Sequence, residues 1–291
     1  SLRRQRQMCI RDRAWLDDAT TAEATYGHIS SWNTGSITDM AWLFCAWAQD
    51  GNRQAYPDGS DCVRDGICCN AAAANFTDDI SAWDTSSVTT MLGMFSKASS
   101  FNQPLDSWDT TSVTDKSYMF SDARPFNQPL SSWDTGSVAT MLRMFTAAFA
   151  FDQPIDSWDT GAVTTLIYMF ASEGRGSATS FNQPLASWDT SSVTWAEKMF
   201  HDARSFDQEL CWDSWDASGM DASDEMFDSC CTCGGCSGSV RADCPSPTRA
   251  PTTSPAPTAS PAPTTARAPV SRGHAPLPSP VALLVALAWL P

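Results

Sequence analysis

The sequence predicts a repeat solenoid. One short strand or extended rung and one short helix recur in each 25-residue coil, wound right-handed and followed by a disordered Pro/Thr-rich stalk. Three observations predict it: a phrase that recurs seven times, a change of apolar spacing half-way through the phrase, and an abrupt shift of composition after Cys244.

The phrase is plainest at Phe126 to Phe145, FNQPLSSWDTGSVATMLRMF. Aligned copies bring Trp32, Trp83, Trp108, Trp133, Trp158, Trp188 and Trp215 into register. Each is followed twelve residues later by Phe44, Phe95, Phe120, Phe145, Phe170, Phe200 and Phe227. The Trp-to-Trp steps are 51, 25, 25, 25, 30 and 27 residues, so the unit is 25 and longer steps carry insertions. A fixed period of roughly 20 to 50 residues marks a stacked array whose units bury their apolar faces against one another.

The first half of the unit opens with Asn127-Gln128-Pro129, a turn signal, and runs to Trp133 as an extended rung. Pro129 suits the start of a strand, where its missing N–H is harmless. In the second half Val138, Met141, Met144, Phe145 and Ala148 fall at 0, 3, 6, 7 and 10, the spacing of one helical face. Thr135 and Ser137 offer hydroxyls as N-caps. The alternative for this half is a run of 3₁₀ and turn. Parallel pairing of stacked rungs predicts the right-handed coil.

Stacking turns each repeated residue into a column. Phe101, Phe126, Phe151, Phe181 and Phe206 would line the interior with the Trp and Met-Phe series. Asn102, Asn127, Asp152, Asn182 and Asp207 would form a polar column whose short side chains bond the backbone of the next coil.

Net charge is −15 over 291 residues, which excludes the basic stripe of a nucleic-acid partner. Five of eighteen basic residues lie in the first thirteen positions, SLRRQRQMCIRDR, which match no repeat and resemble a translated sequencing adapter. Without them 13 basic and 32 acidic residues remain, a net of −19.

With Cys9 set aside in that segment, ten cysteines remain, at the two ends of the array. Cys45, Cys62, Cys68 and Cys69 lie in or beside the insertion after the first copy. Cys211, Cys230, Cys231, Cys233, Cys236 and Cys244 lie at the last. Even-numbered terminal clusters are read as disulfide staples in an oxidising compartment. Zinc is the rival reading of CCTCGGC, without paired Cys-x2-Cys modules or His ligands beside it.

After Cys244 the chain becomes PSPTRAPTTSPAPTASPAPTTARAPVSRGHAPLPSP, too poor in large apolar residues for a core. It is read as an extended O-glycosylated stalk that reaches about 110 Å as polyproline II. Val281 to Pro291, VALLVALAWLP, is too short to span a bilayer, and is read as a lipid-anchor signal or a truncated transmembrane helix. The organisation is therefore: 1–13 adapter-derived; 14–28 a truncated N-terminal edge; 29–228 the seven-repeat array with an insertion at about 45–75; 229–244 a Cys-rich cap; 245–280 the stalk; 281–291 the hydrophobic tail.

The Phe-[Asn/Asp]-Gln-x-[Leu/Ile], Trp-[Asp/Asn]-Thr and Val-Thr-x-Met-x-x-Met-Phe phrases, from about Ile29 to Phe227, resemble the BspA-like leucine-rich-repeat surface proteins. The resemblance implies a leucine-rich-repeat-like fold and a secreted or surface-anchored protein for adhesion or matrix contact, with no shared catalytic motif. The first and last copies depart from the phrase at Asn33, Ala217 and Met220 and are read as capping repeats.

The sharpest chemical feature is one Asp per coil: Asp84, Asp109, Asp134, Asp159, Asp189 and Asp216. Stacked carboxylates repel, so a column could hold Ca²⁺ or a cationic ligand. The favoured reading is local: each Asp accepts from backbone N–H groups at its turn. The acids Asp213, Asp221, Asp224, Glu225 and Asp228 do not have calcium-loop spacing. His28, His201 and His274 have no nucleophile pattern beside them. Asn75-Phe76-Thr77 is an N-glycosylation acceptor sequence.

The expected function is a non-enzymatic cell-surface protein, without a cofactor, that binds extracellular protein or polysaccharide and reaches the membrane through its C-terminal anchor. The alternatives are a wall or coat component assembling laterally and, last, an extracellular glycan-active enzyme. Recognition is expected in the insertion between Phe44 and Phe76 or on the exposed Ser, Thr and Asp edge.

Overall fold

The computed structural model describes residues 2–46, 69–172, 179–208, 210, 212 and 226. The chain divides into two units, Ser1–Thr248 and Arg249–Pro291, and the described residues belong to the first. The stalk, the tail and the 229–244 cap lie outside the described residues, as does the insertion over 47–68.

Helix α1 (Leu2–Asp17) and helix α2 (Ala19–Tyr26) precede the coils. Asp18 separates them and caps α2, its carboxylate accepting from the Thr21 N–H at 3.2 Å. Gly27 ends α2 at φ 77, a conformation that a side chain would strain. The segment set aside as adapter-derived is thus helical, and it sends Met8 into the same apolar core as the coils. Trp15 meets Trp32 edge-on at 5.9 Å and donates its indole N–H to Asp78 at 2.9 Å, so α1 covers the end of the Trp column. No helix among the described residues is long and apolar enough to cross a membrane.

The rungs join through one isolated parallel bridge per coil, running Asp39, Thr90, Asp115, Thr140, Thr165 and Trp195. Beyond the bridge the expected helix does not form. Met141, Arg143, Phe145 and Ala147 donate their N–H groups to Thr165, Ile167, Met169 and Ala171 of the following coil at 2.7 to 3.2 Å. The N–H groups between them turn back three residues, from Met144 to Met141, Thr146 to Arg143 and Ala148 to Phe145. Arg143 and Ala147 sit at φ 56 and 55, which breaks a right-handed helix twice in five residues. The cost of those left-handed residues is offset by the hydrogen bonds that alternate peptides make between coils. The apolar spacing was real, since Val138, Met141, Met144, Phe145 and Ala148 are all buried, but consecutive turns satisfy it as well as a helix.

Two Phe columns fill the core. Phe95, Phe120, Phe145 and Phe170 stack at 5.6 to 5.8 Å between coils, and Phe101, Phe126, Phe151 and Phe181 at 6.0 to 6.2 Å. Within a coil the two rings face each other at 3.9 to 4.0 Å, as in Phe120 with Phe126 and Phe95 with Phe101.

The Trp column is tied by its indole N–H groups. Trp133 donates to Leu105, Trp158 to Leu130 and Trp188 to Ile155, at 2.9 to 3.1 Å. The last described member is Trp212, which donates to Leu185 at 2.9 Å and stacks on Trp188 at 6.5 Å. The alignment put Trp215 at that place, and Trp215 itself lies outside the described residues. The sequence phrase matched Trp-Asp at both places, whereas the column accepts the indole that reaches the Leu185 carbonyl.

Hydroxyl and amide columns complete the lock between coils. Thr85, Thr110, Thr135 and Thr160 are buried and donate to Asp109, Asp134, Asp159 and Asp189 carbonyls at 2.7 to 2.9 Å. The Asn127 side-chain oxygen accepts from the Asp152 N–H at 3.0 Å and the Gln153 amide at 2.9 Å. Asn102, Asp152 and Asn182 do the same for the next coil, so Gln is the clamp of the Asn column.

Candidate recognition surface

Asp84, Asp109, Asp134, Asp159 and Asp189 are exposed on one edge of the coils, and Asp216 lies outside the described residues. Each of the five accepts, through Oδ1, the N–H two residues ahead, from Ser86, Thr111, Gly136, Gly161 and Ser191 at 3.0 to 3.1 Å. The Ser86 hydroxyl and N–H hold the Asp84 carboxyl below its ordinary range. Each carboxylate therefore has a structural task at its own turn. Among the described residues no group of three or more His, Cys, Asp or Glu is placed to hold a metal.

At the opposite end of the unit, Cys45 and Cys69 are joined across the insertion, with Cα atoms 4.7 Å apart. Cys9 is disulfide-bonded too, although the sequence reading set it aside. Cys62, Cys68, Cys211, Cys230, Cys231, Cys233, Cys236 and Cys244 lie outside the described residues. Asn75 ends a 3₁₀ turn, Ala71–Asn75, and is exposed with Thr77, while Phe76 between them is buried against Phe44 at 4.1 Å.

Sequence reasoning missed a third feature. The residue just before the second Met of Met-x-x-Met takes a left-handed φ, between 55 and 61, in six coils: Trp42, Gly93, Tyr118, Arg143, Tyr168 and Lys198. Towards the first coil the row is closed. Trp42 lies over Gly93, where any side chain would collide with the indole, and meets Tyr118 at 6.1 Å. Towards the last coil it opens, with Arg143, Tyr168 and Lys198 half-buried. The Arg143 guanidinium lies 4.2 Å from the Tyr168 ring centre and the Lys198 ammonium 5.8 Å from it, both within cation–π range. The signal was available, because this position varies while its Met and Phe neighbours barely do. Attention to the constant letters passes over it.

Charge is divided between the edges. Every described Lys and Arg between Trp32 and Trp212 lies in the Met-Phe half of its unit: Lys97, Lys116, Arg124, Arg143, Lys198 and Arg204. Lys116 is the exception to exposure. It replaces Met in the column of Met91 and Met141, is fully buried, and its Nζ has no hydrogen-bond partner. Burial pushes its pKa down to about 7, against the opposing pull of Asp134, and its Nζ sits 5.5 Å from the Trp133 ring centre.

Residues 69–151 and 130–234 match the family described as Mycoplasma protein of unknown function, DUF285. The chain belongs to the DUF285 family. No curated protein and no solved structure matches it. The two DUF285 matches overlap over 130–151, as sliding alignment on a repeated unit allows, and together they span the coils from Cys69 onward. The family description carries no activity, so the chemistry must be argued from the side chains of this DUF285 chain.

Proposed function

We propose that this DUF285 chain is a non-enzymatic recognition protein of the cell surface, of the BspA-like leucine-rich-repeat kind. The carrying observation is the row at Trp42 to Lys198. Its residues change from coil to coil, from Trp42 through Gly93 and Tyr118 to Arg143, Tyr168 and Lys198, on a backbone whose inward residues repeat. At its open end, Arg143, Tyr168 and Lys198, a scaffold that holds its interior constant presents a varied pattern to a partner.

The Cys45–Cys69 bridge supports an oxidising compartment, and the exposed Asn75–Thr77 acceptor fits a secreted route. A Pro/Thr stalk would hold the coils away from the membrane, with many copies supplying avidity.

The test is adhesion of the chain displayed on beads to cells and to immobilised matrix protein or polysaccharide. Display should strengthen binding by about a hundredfold over free protein. Beads that adhere no better than bare beads would overturn the reading, and concentration-dependent filaments would favour a coat component instead.

A further inference from the structure

We infer that Trp195, Tyr168, Arg143 and Lys198 form a binding site for an acidic polysaccharide, one whose sugars carry carboxylate or sulfate groups. The inference rests on the recognition reading above and names the ligand class of the open end of the row.

Three neighbouring coils supply the site. Thr165 pairs with Trp195 in a parallel bridge, and the Tyr168 N–H donates to the Glu197 carbonyl at 3.0 Å, which fixes these two coils side by side. The third coil contributes Arg143, whose N–H donates to Ile167 at 2.9 Å. The three coils thereby offer Arg143, then Tyr168, then Trp195 with Lys198, on coils whose core rings Phe145 and Phe170 stack 5.8 Å apart.

Trp195 has no packing explanation. It stands 54% exposed at a bridge position that other coils fill with Asp or Thr. Solvated indole surface on the coil that also carries Lys198 is the composition of a sugar-stacking platform, with the aromatic face meeting C–H bonds and the cations of the row meeting acid groups.

Charge complementarity selects an acidic ligand. The chain carries −15, and the Trp-Asp-Thr edge presents Asp84, Asp109, Asp134, Asp159 and Asp189 without a described Lys or Arg in that half of the unit. A polyanion is repelled there and finds its cations only on the Met-Phe side.

The experiment is calorimetric titration of the full chain with a heparin-derived hexasaccharide, an oligogalacturonate and a neutral cello-oligosaccharide. One or both acidic probes should bind, the neutral probe should not, and affinity should fall as salt rises past about 0.15 M. A sulfate source favours the heparin arm and a carboxylate source the galacturonate arm. Trp195→Ala and Arg143→Gln should each weaken binding about tenfold. Trp195 is exposed, so its replacement leaves the fold intact, which an unchanged thermal midpoint verifies. Absence of binding to both acidic probes, or equal binding by wild type and both variants, would overturn the site. If beads still adhere to cells in that case, the recognition reading survives and only the ligand class falls.

Discussion

Thr110 donates its buried hydroxyl to the carbonyl oxygen of Asp134, 2.7 Å away in the following coil. The same bond recurs from Thr85, Thr135 and Thr160, so it belongs to the interface between coils and not to any one of them. Thr110→Val keeps the shape and removes the donor, leaving that carbonyl short of a partner. The expected loss is about 1 to 2 kcal/mol, read as a lower urea midpoint with an unchanged slope. Thr111→Val, one residue along on the exposed side, should cost much less.

Lys116 gives the protein a stability that depends on alkaline pH. Its pKa is about 7 in the folded chain and returns to the ordinary 10.5 on unfolding. Between those values the unfolded chain binds more protons, so this residue makes stability rise with pH from about 7 to 10.5 and flatten outside that window. The full swing is on the order of 5 kcal/mol. Lys116→Met restores the column residue, and should raise the thermal midpoint at pH 7 and flatten the slope between pH 7 and 9. A variant that melts lower than wild type at pH 7 would show that the ammonium has a use in the fold.

Calcium should leave the thermal midpoint where it is. Asp84, Asp109, Asp134, Asp159 and Asp189 each commit one oxygen to a backbone N–H at a turn, whereas a calcium site needs six to eight oxygens converging on one point. A titration into the millimolar range with a rising midpoint would reopen the column as a metal site. By the same geometry Asp134→Asn, which keeps the acceptor oxygen, should be better tolerated than Asp134→Ala.

What was legible in the sequence was whatever the repeat itself had to encode. Phe126 and Phe151 stack because the unit length brings them together, and Asn127 bonds the Asp152 N–H because a short side chain at a fixed turn can reach only its neighbour. The helix over Val138 to Ala148 was misread because spacings of three and four arise equally from tandem turns with left-handed residues at Arg143 and Ala147. Side-chain pattern records which residues are buried and is silent about where alternate N–H groups go. Trp212 was passed over for Trp215 because lettering outweighed reach to Leu185. The open row from Arg143 to Lys198 was invisible for a different reason, since a search for repetition discards what does not repeat.

The direction of the peptide bonds has a consequence for the gene. Each coil offers N–H groups to the next through residues such as Met91, Gly93, Phe95 and Lys97, and receives them on carbonyls in the same order as its predecessor. Copying one unit in frame therefore inserts a coil whose two rims already match their new neighbours, and deleting one closes the gap equally well. Length can drift by slippage during replication while every interface stays the same, so natural alleles of this protein should differ by whole multiples of 25 residues far more often than by fractions of a unit.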